Sequence, residues 1–392
     1  MKTLLHFGAG RIGRSLVGRL FCEAGWRITF VDILPPLVEA LSRRRSYRVR
    51  IKDALPRGAP DTAEVTGFDA MLSSEAARLA EAVRDADLIS TAVGAANVPD
   101  VLAALAPGLA RRDRGVSILF VENLRHAGRV AREALGRLLP EAPRVLERVG
   151  LVETTTHTMV PMMPPDVSRR DPLVIWCDAY SRILADRRGF LDPPPDVPGL
   201  VLKDPFPPWM DRKLFIHNLG HAAAAYHGNL AGKETIWECV AEERIRAETR
   251  AAMGESAWAL AREYPGEFTE ADLVAHADDL LRRFANRLLG DTVYRVGADL
   301  WRKLGPDDRL MGAMRLVEAH GGRPEHIARA VAAALRFKAV GPDGRILPRD
   351  EEFHRLLEAR GPEAVLREVS GLDPEAGAAL VDLVLQANGA GA

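Results

Sequence analysis

Residues 3–14 read Thr3-Leu4-Leu5-His6-Phe7-Gly8-Ala9-Gly10-Arg11-Ile12-Gly13-Arg14, and this stretch decides the fold. A short apolar run leads into a Gly-x-Gly-x-x-Gly loop, and a helical pattern follows over residues 14–24. In that context Gly8 permits a tight turn, Gly10 lets the backbone approach a pyrophosphate, and Gly13 lets the helix pack closely on the strand. The free N–H groups and dipole at the start of the helix favour a phosphate. The stretch therefore predicts a dinucleotide-binding turn between a strand and a helix.

The acidic residue that accompanies such a turn is also present. A second strand-like run over residues 26–31 ends at Asp32, which lies 19 residues beyond Gly13. A carboxylate at this place accepts the ribose hydroxyls of NAD and repels the 2′-phosphate of NADP. The sequence therefore favours NAD as the cofactor.

Strand-like and helical segments alternate through the first half of the chain. Helices are predicted over residues 37–45, 76–86, 98–109 and 124–139. Further strands are predicted over residues 88–92, 116–121 and 149–156. This alternation is typical of an α/β fold with a doubly wound parallel sheet of the Rossmann type.

Long helical patterns dominate from about residue 210 onward. They cover residues 211–226, 235–263, 270–289, 306–319, 325–337 and 351–369. A proline-rich stretch over residues 192–199 is typical of a connector. We therefore predict an NAD-binding domain at residues 1–195 and an all-helical substrate and catalytic domain at residues 196–392.

Composition excludes several classes of function. The chain has 53 Lys and Arg against 54 Asp and Glu, so there is no basic field to hold nucleic acid. Its three cysteines are too few and too scattered for a disulfide framework or a zinc cluster. It shows neither a signal-peptide pattern nor an apolar run of about 18 residues. We expect a cytoplasmic protein that binds a small molecule and neither nucleic acid nor membrane.

Three polar residues share one face of the helix predicted over residues 211–226. At about 100° per residue, Lys213, Asn218 and His221 fall within an arc of roughly 140° on an otherwise apolar helix. A desolvated lysine has a lowered pKa and can act as a general base, while an amide can stabilise an oxyanion and a histidine can hold a hydroxyl. A solvated polar face is the plainer alternative. A metal held by His217 and His221 is another, but the pattern is not His-Glu-x-x-His, and we expect no metal.

Asn123 follows the strand predicted over residues 116–121, where a doubly wound sheet places its ligand crevice. Glu122 and Asn123 could therefore face a nicotinamide ring. Alternatively, Asn123 caps a helix that begins at Leu124. The spacing does not choose between these readings.

The chain resembles the polyol-specific long-chain dehydrogenases, most closely their mannitol-1-phosphate 5-dehydrogenase branch. The resemblance extends over essentially the whole chain, and the Lys-x₄-Asn-x₂-His motif of that family falls on Lys213, Asn218 and His221. The other matching pieces are residues 6–14, 91–94, 122–123, 212–215, 221–222, 225–226, 230–232, 295–297, 302–304 and 308–310.

This resemblance implies a zinc-independent, NAD-linked secondary-alcohol dehydrogenase. By that analogy Lys213 takes the hydroxyl proton while a hydride passes to the nicotinamide. Asn123 and Asn218 stabilise the developing alkoxide, and His221 holds an adjacent hydroxyl. In reverse, protonated Lys213 supports the reduction of fructose 6-phosphate to mannitol 1-phosphate. The glycine-loop residues Arg11 and Ile12, together with Val93, contact the cofactor.

The resemblance also implies cationic substrate contacts. Arg295, Arg302 and Lys303 are the candidates for a phosphate, since Arg matches phosphate geometry. Alternatively, Arg302 and Lys303 cap a helix or pair with Asp307 or Asp308.

One departure leaves the substrate open. The family carries an Asp-Arg pair where this chain has His157 and Thr158, and His157 takes the place of a substrate-recognition residue. A related enzyme acting on free mannitol or fructose, arabinitol, tagaturonate or fructuronate is therefore the alternative. A nucleotide-sensing protein on the same scaffold is a further one, against which the complete Lys-Asn-His motif argues. Relatives of this kind suggest a monomer or a simple homodimer.

Overall fold

The computed structural model describes residues 1–139, 141–373, 375 and 377–389. The chain divides after Met210 into two compact units. The predicted division was at residues 195/196. The difference arises because the segment after the proline-rich stretch forms a strand, Leu200–Lys203, that pairs with Ile183–Asp186 of the first unit.

The first unit is built on strands and short helices. Its strands are β1 (Thr3–Phe7), β2 (Arg27–Asp32), β3 (Ser46–Ile51), β4 (Thr62–Thr66), β5 (Phe68–Leu72), β6 (Leu88–Thr91), β7 (Val116–Phe120), β8 (Val149–Thr156), β9 (Ile175–Cys177), β10 (Ile183–Asp186) and β11 (Leu200–Lys203). Its helices are α1 (Arg19–Glu23), α2 (Pro35–Arg44), α3 (Ala76–Asp85), α4 (Val98–Leu109), α5 (Ala127–Leu138), α6 (Ala142–Leu146) and α7 (Pro165–Arg170).

Eight strands form the main sheet in the order β11-β10-β8-β7-β6-β1-β2-β5. Six adjacent strands of this sheet, β8-β7-β6-β1-β2-β5, are parallel. Their doubly wound order places a ligand crevice beside β1. The strand β10 runs antiparallel to β8. The Rossmann prediction is confirmed. Because Phe7 pairs with both Val31 and Thr91, the loops at Gly8, Asp32 and Val93 leave the sheet at one edge.

Alternating side chains of the main sheet feed two apolar cores. Leu4, Phe30 and Leu119 pack into one cluster, while their chain neighbours Leu5, Val31 and Ile118 belong to the other. This alternation follows from the two-residue period of a strand whose two faces are both covered.

A separate three-stranded sheet, β4-β3-β9, is not part of the predicted alternation. In β3 the side chains of Tyr47 and Val49 are buried, whereas those of Arg48 and Arg50 are exposed. The Tyr47 hydroxyl donates a hydrogen bond of 2.9 Å to the carbonyl of Arg14. This sheet is therefore anchored to the π-type segment Gly13–Gly18, which leads into α1.

The second unit is mostly helical, as predicted. A helix α8 (Pro207–Arg212) crosses the division and continues as a π-type segment, Lys213–Asn218. The helices that follow are α9 (Leu219–Leu230), α10 (Ile236–Ala241), α11 (Glu243–Glu263), α12 (Glu270–Phe284), α13 (Val293–Gly297), α14 (Leu300–Lys303), α15 (Met311–Ala319), α16 (Glu325–Leu335), α17 (Pro348–Glu368) and α18 (Ala378–Gly389).

Helix α9 lies at the centre of this unit. It packs against α10, α11, α13 and α16, and its residues 222–225 are fully buried alanines. The helix predicted over residues 235–263 is two helices, because Glu242 adopts an extended conformation with ψ of 118°. Among the described residues, none of the helices combines the length and apolarity needed to cross a bilayer.

Candidate active site

The three glycines of the first loop differ in whether the surrounding structure leaves room for a side chain. Gly8 has φ of 94°, and a Cβ on it would lie 2.5 Å from the carbonyl oxygen of Ala92. A Cβ on Gly13 would lie 2.0 Å from the carbonyl oxygen of Gly8 and 2.6 Å from Nε2 of His6 on β1, so the chain packs closely at this position. A Cβ on Gly10 would meet no heavy atom within 4 Å. The chain's own packing therefore requires Gly8 and Gly13, whereas the space over Gly10 is open.

Asp32 is held at the edge of this loop. Its Oδ2 accepts a hydrogen bond of 2.8 Å from the Ala9 N–H, and its Oδ1 accepts one of 3.0 Å from the Leu34 N–H. The carboxylate is half-buried. Each carboxylate oxygen keeps a second lone pair, so the oriented group can still accept ribose hydroxyls. Of the two other predicted cofactor contacts in the loop, Arg11 is exposed and Ile12 half-buried.

Glu122 fastens the neighbouring loop rather than facing outward. Its carboxylate is buried and accepts hydrogen bonds from the N–H groups of Val93 at 2.8 Å and Gly94 at 2.9 Å. Burial raises the pKa of Glu122, although these two hydrogen bonds oppose the rise. Val93, a predicted cofactor contact, is thereby held in place. Glu122 acts on the crevice through the backbone.

Asn123 is exposed at the same edge of the sheet. The helix that it was expected to cap begins instead at Ala127, because His126 adopts a left-handed conformation with φ of 57°. The capping alternative is therefore wrong. A role for Asn123 toward a nicotinamide stays a prediction.

His157 lies just beyond β8 and is buried. Its ring meets that of Tyr180 edge to face, with centroids 5.5 Å apart. The neighbouring Thr158 hydroxyl donates a hydrogen bond of 2.9 Å to the Tyr180 carbonyl. The two residues that replace the expected charged pair are therefore packed together against one tyrosine.

Lys213, Asn218 and His221 come from one continuous helix, but not from a regular one. The segment Lys213–Asn218 is π-type, with hydrogen bonds that span five residues. A wider turn rotates less per residue, so Asn218 lies closer to the direction of Lys213 than the predicted α-helical arc allows. All three side chains are buried, with exposures of 6%, 8% and 8%. The solvated-face alternative is wrong.

The surroundings of Lys213 favour its neutral amine over its ammonium form. Burial, followed by the positive charge of Arg309, lowers the pKa of Lys213 to about 7. Arg302 and Arg295 act in the same direction, and Asp308 opposes them. An amine with a pKa near 7 is populated in both protonation states at neutral pH, as a general base requires.

His221 is clamped between a ring and a carboxylate. It stacks on Phe284 with centroids 4.5 Å apart and planes 11° apart. Its Nε2 lies 3.2 Å from Oδ2 of the buried Asp291. Burial lowers the pKa of His221, while Asp291 partly counters the fall. Among the residues that the structure describes, no group of three or more His, Cys, Asp and Glu is arranged to hold a metal ion.

Two of the predicted phosphate ligands are arginines with internal partners. Arg295 pairs with Asp291 through Nε and Nη2. Arg302 places Nε 2.6 Å from Asp299, and its Nη1 is 3.6 Å from Asp308. The Arg295 side chain is 23% exposed and that of Arg302 is 44% exposed. Both guanidinium groups are partly exposed to solvent, and each is paired with a carboxylate.

Lys303, the third candidate, is buried and points into the protein. Its Nζ donates to the carbonyl oxygen of Val296 at 2.6 Å and to that of Ala298. Burial lowers the pKa of Lys303 well below its usual range. The helix-capping alternative describes this side chain, since both carbonyls lie at the end of α13.

Three residues that act on the Lys-Asn-His motif were not predicted from the sequence. Asp291 and Phe284 hold His221, and Arg309 acts on Lys213. The i,i+4 spacing of Asp291 and Arg295 is a sequence signal for their ion pair. No spacing links either to His221, because the contact joins positions 70 residues apart.

Comparison with known families covers both units. Residues 2–199 match the family model described as the mannitol dehydrogenase Rossmann domain. Residues 206–387 match the model described as the mannitol dehydrogenase C-terminal domain.

Solved structures share this fold at low sequence identity. One is Pseudomonas fluorescens mannitol 2-dehydrogenase in a ternary complex with NAD and D-mannitol, with a TM-score of 0.78 and 17% identity over 99% of this chain and 91% of that one. Another is a substrate-free D-sorbitol dehydrogenase, with a TM-score of 0.75 and 16% identity over 98% of this chain and 92% of that one.

Proposed function

This chain belongs to the mannitol dehydrogenase family of NAD-linked oxidoreductases, and we propose that it interconverts mannitol 1-phosphate and fructose 6-phosphate. The observation that carries the proposal is the buried amine of Lys213, whose pKa is lowered to about 7, on one helix with Asn218 and His221. A cytoplasmic location and a monomeric or simple homodimeric state stay predictions of the sequence.

The cofactor is NAD, and the first unit supplies the means to hold it. Asp32 presents an oriented carboxylate at the edge of the glycine loop, where it accepts ribose hydroxyls and repels a 2′-phosphate. The open space over Gly10 suits the close approach of a pyrophosphate. Bound in this way, NAD would supply the hydride acceptor for polyol oxidation, and NADH the hydride donor for ketose reduction.

The protein's own part in the reaction is proton transfer and charge stabilisation. In polyol oxidation neutral Lys213 accepts the hydroxyl proton at Nζ while the carbinol carbon loses its hydride. The Asn218 amide donates to the developing alkoxide, and His221 holds an adjacent hydroxyl. In ketose reduction the proton returns from the Lys213 ammonium. Asn123, at the edge of the first unit's sheet, keeps its predicted role as a second amide donor.

The phosphate is assigned to the arginines and not to the buried Lys303. A guanidinium has five N–H donors, so pairing with one carboxylate leaves others available. Arg295 uses Nε and Nη2 for Asp291, which leaves its Nη1 donors. Arg302 is the more exposed of the two. We therefore place the phosphate against the outward N–H groups of Arg302 and Arg295.

A non-phosphorylated substrate is the second candidate. It is favoured by the internal partners of all three cations and by the packed His157 and Thr158. Free mannitol and fructose, arabinitol, tagaturonate and fructuronate belong to this class. NAD chemistry and the role of Lys213 are the same for both candidates.

Initial rates of NADH oxidation with fructose 6-phosphate and with free fructose separate the two candidates. The proposal expects a clear preference for the phosphate, and Arg302→Gln should raise KM for fructose 6-phosphate without raising it for fructose. The matched control is Arg329→Gln, which removes an arginine paired with Glu248 elsewhere in the second unit. A preference for free fructose, or for a hexuronate or pentitol in the same assay, would replace the first candidate by the second.

A further inference from the structure

Asp291 is a buried carboxylate on a backbone that is pinned on both sides. It follows Gly290, which has φ of 63°, and precedes Thr292, the N-cap of α13. The Asp291 carbonyl accepts a hydrogen bond of 2.9 Å from the Ile236 N–H. Thr292 forms a bridge with Thr235, whose side chain takes part in the capping box of α10. The position of this carboxylate is therefore set by two helix starts.

The carboxylate is shared by the guanidinium of Arg295 and the imidazole of His221. Arg295 engages both of its oxygens, and His221 Nε2 lies 3.2 Å from Oδ2. Although burial favours the neutral acid, Arg295 and His221 hold the pKa of Asp291 well below its usual range. Asp291 is therefore an anion at neutral pH. No well-directed hydrogen bond joins His221 Nε2 to Asp291, so the carboxylate acts on the ring through its charge. A buried anion beside an imidazole attracts an N–H and repels a lone pair.

The ring of His221 has few ways to turn. Phe284 stacks on its face, and His217 lies at a ring-centroid distance of 6.0 Å. Besides the carboxylate of Asp291, the charged groups that act on the His221 pKa are Arg295 and Lys303, which lower it. Stacking fixes the plane of the imidazole, and the carboxylate then distinguishes its two nitrogens. Contacts therefore connect the loop at Asp291 to the His221 ring, and His221 lies on the same continuous helix as Lys213.

We propose that Asp291 is the positioning residue for His221: it keeps the ring proton on Nε2 and leaves the Nδ1 lone pair to accept a hydrogen bond from a substrate hydroxyl. This inference rests on the proposed function, since it gives His221 its part in holding the polyol. It assigns to Asp291 a role that acts through the imidazole. A counterion for Arg295 alone would not need to approach Nε2.

The test is a double-mutant cycle with Asp291→Asn and His221→Ala, measured as kcat/KM for the preferred ketose. An asparagine amide can donate to Nε2 and so reverse the tautomer. Asp291→Asn alone should lower kcat/KM by about tenfold to a hundredfold. In the His221→Ala background the same substitution should cost less than about twofold, because a residue that acts through the ring has nothing left to position. An equal loss in both backgrounds would overturn the proposal.

A second readout does not depend on turnover. The ¹⁵N shifts of the His221 ring, assigned by comparison with His221→Ala, should report Nε2–H in the wild type and a loss of that preference in Asp291→Asn. The control is Asp350→Asn, which removes another buried carboxylate that accepts N–H bonds from Asp299 and Leu300. That variant should change stability but not the His221 signals. If no polyol or ketose is turned over, the proposed function fails while the ring signals still decide the role of Asp291; an unchanged tautomer in Asp291→Asn would overturn it.

Discussion

Lys213 links the electrostatics of single residues to the direction of the reaction. In the proposed mechanism, its neutral form is the base for polyol oxidation and its ammonium is the acid for ketose reduction. Because burial and nearby cations lower the pKa of Lys213 to about 7, kcat/KM for polyol oxidation should rise as pH increases through about 7. That for ketose reduction should fall over the same range. Profiles of kcat/KM between pH 5.5 and 9 check both limbs, and a common midpoint near 10 would contradict the account.

Arg309 should control that midpoint. It is the largest charge acting on Lys213, so its replacement in Arg309→Gln should let the pKa of Lys213 rise toward its ordinary value. Polyol oxidation at neutral pH should then slow by up to about tenfold for each pH unit that the midpoint moves. The same profiles measure the effect. Arg329→Gln, which removes an arginine paired with Glu248, should leave the midpoint in place.

At this scale the sequence contained the motif but not its surroundings. Lys213, Asn218 and His221 follow from a spacing within nine residues, and the apolar neighbours indicate their burial. Arg309, Phe284 and Asp291 reach the same place from 63 to 96 residues further along the chain. Tertiary contacts of that length leave no periodic signal. The ion pair of Arg295 with Asp291 is different, because its i,i+4 spacing is visible in the sequence.

Among the elements, the glycine loop separates packing from binding. Gly13→Ala should destabilise the protein by about 1–3 kcal/mol, because its Cβ would lie 2.0 Å from the Gly8 carbonyl oxygen. Gly10→Ala should leave the free energy of unfolding nearly unchanged, because its Cβ meets no atom within 4 Å. It should still weaken NADH binding by at least about tenfold, or ~1.4 kcal/mol, if a pyrophosphate passes over it.

Urea unfolding and fluorescence titration with NADH measure the two effects separately. Each glycine variant serves as the control for the other. Full NADH affinity in folded Gly10→Ala would exclude a close approach of the cofactor at that position.

Periodicity predicted elements better than it predicted their irregularities. Helix α4 and strand β8 have the predicted bounds. The π-type segment Lys213–Asn218 could not be predicted by a periodicity that assumes the α-helical rotation of 100° per residue. The strand β9 has three residues, and its existence depends on pairing with β3 from more than 120 positions away.

For the molecule as a whole, the division after Met210 makes a direct prediction about fragments. A chain of residues 1–210 should fold and bind NADH, because it contains the main sheet and the two apolar cores on its faces. A chain of residues 1–195 lacks β11 and also loses Phe206 and Met210, which pack on Leu184. Burial of one such phenylalanine contributes about 2 kcal/mol, so the shorter fragment should melt roughly 4–8 °C lower.

Thermal unfolding by circular dichroism compares the two fragments. Equal melting temperatures would place residues 196–210 outside the first unit. The proline-rich stretch lies within the first unit, because prolines mark a connection without showing whether the chain beyond them rejoins the same sheet.

The most direct test of the whole account is the rate of NADH oxidation with fructose 6-phosphate and fructose by the wild type and by Lys213→Ala. The account predicts turnover of at least one ketose by the wild type and a loss of about 10²–10⁴-fold in the variant, with the melting temperature and NADH affinity unchanged. Turnover that survives in Lys213→Ala would contradict the assignment of the base. Tight NADH binding without oxidation by any ketose or hexuronate would contradict the assignment of the chain as a working polyol dehydrogenase.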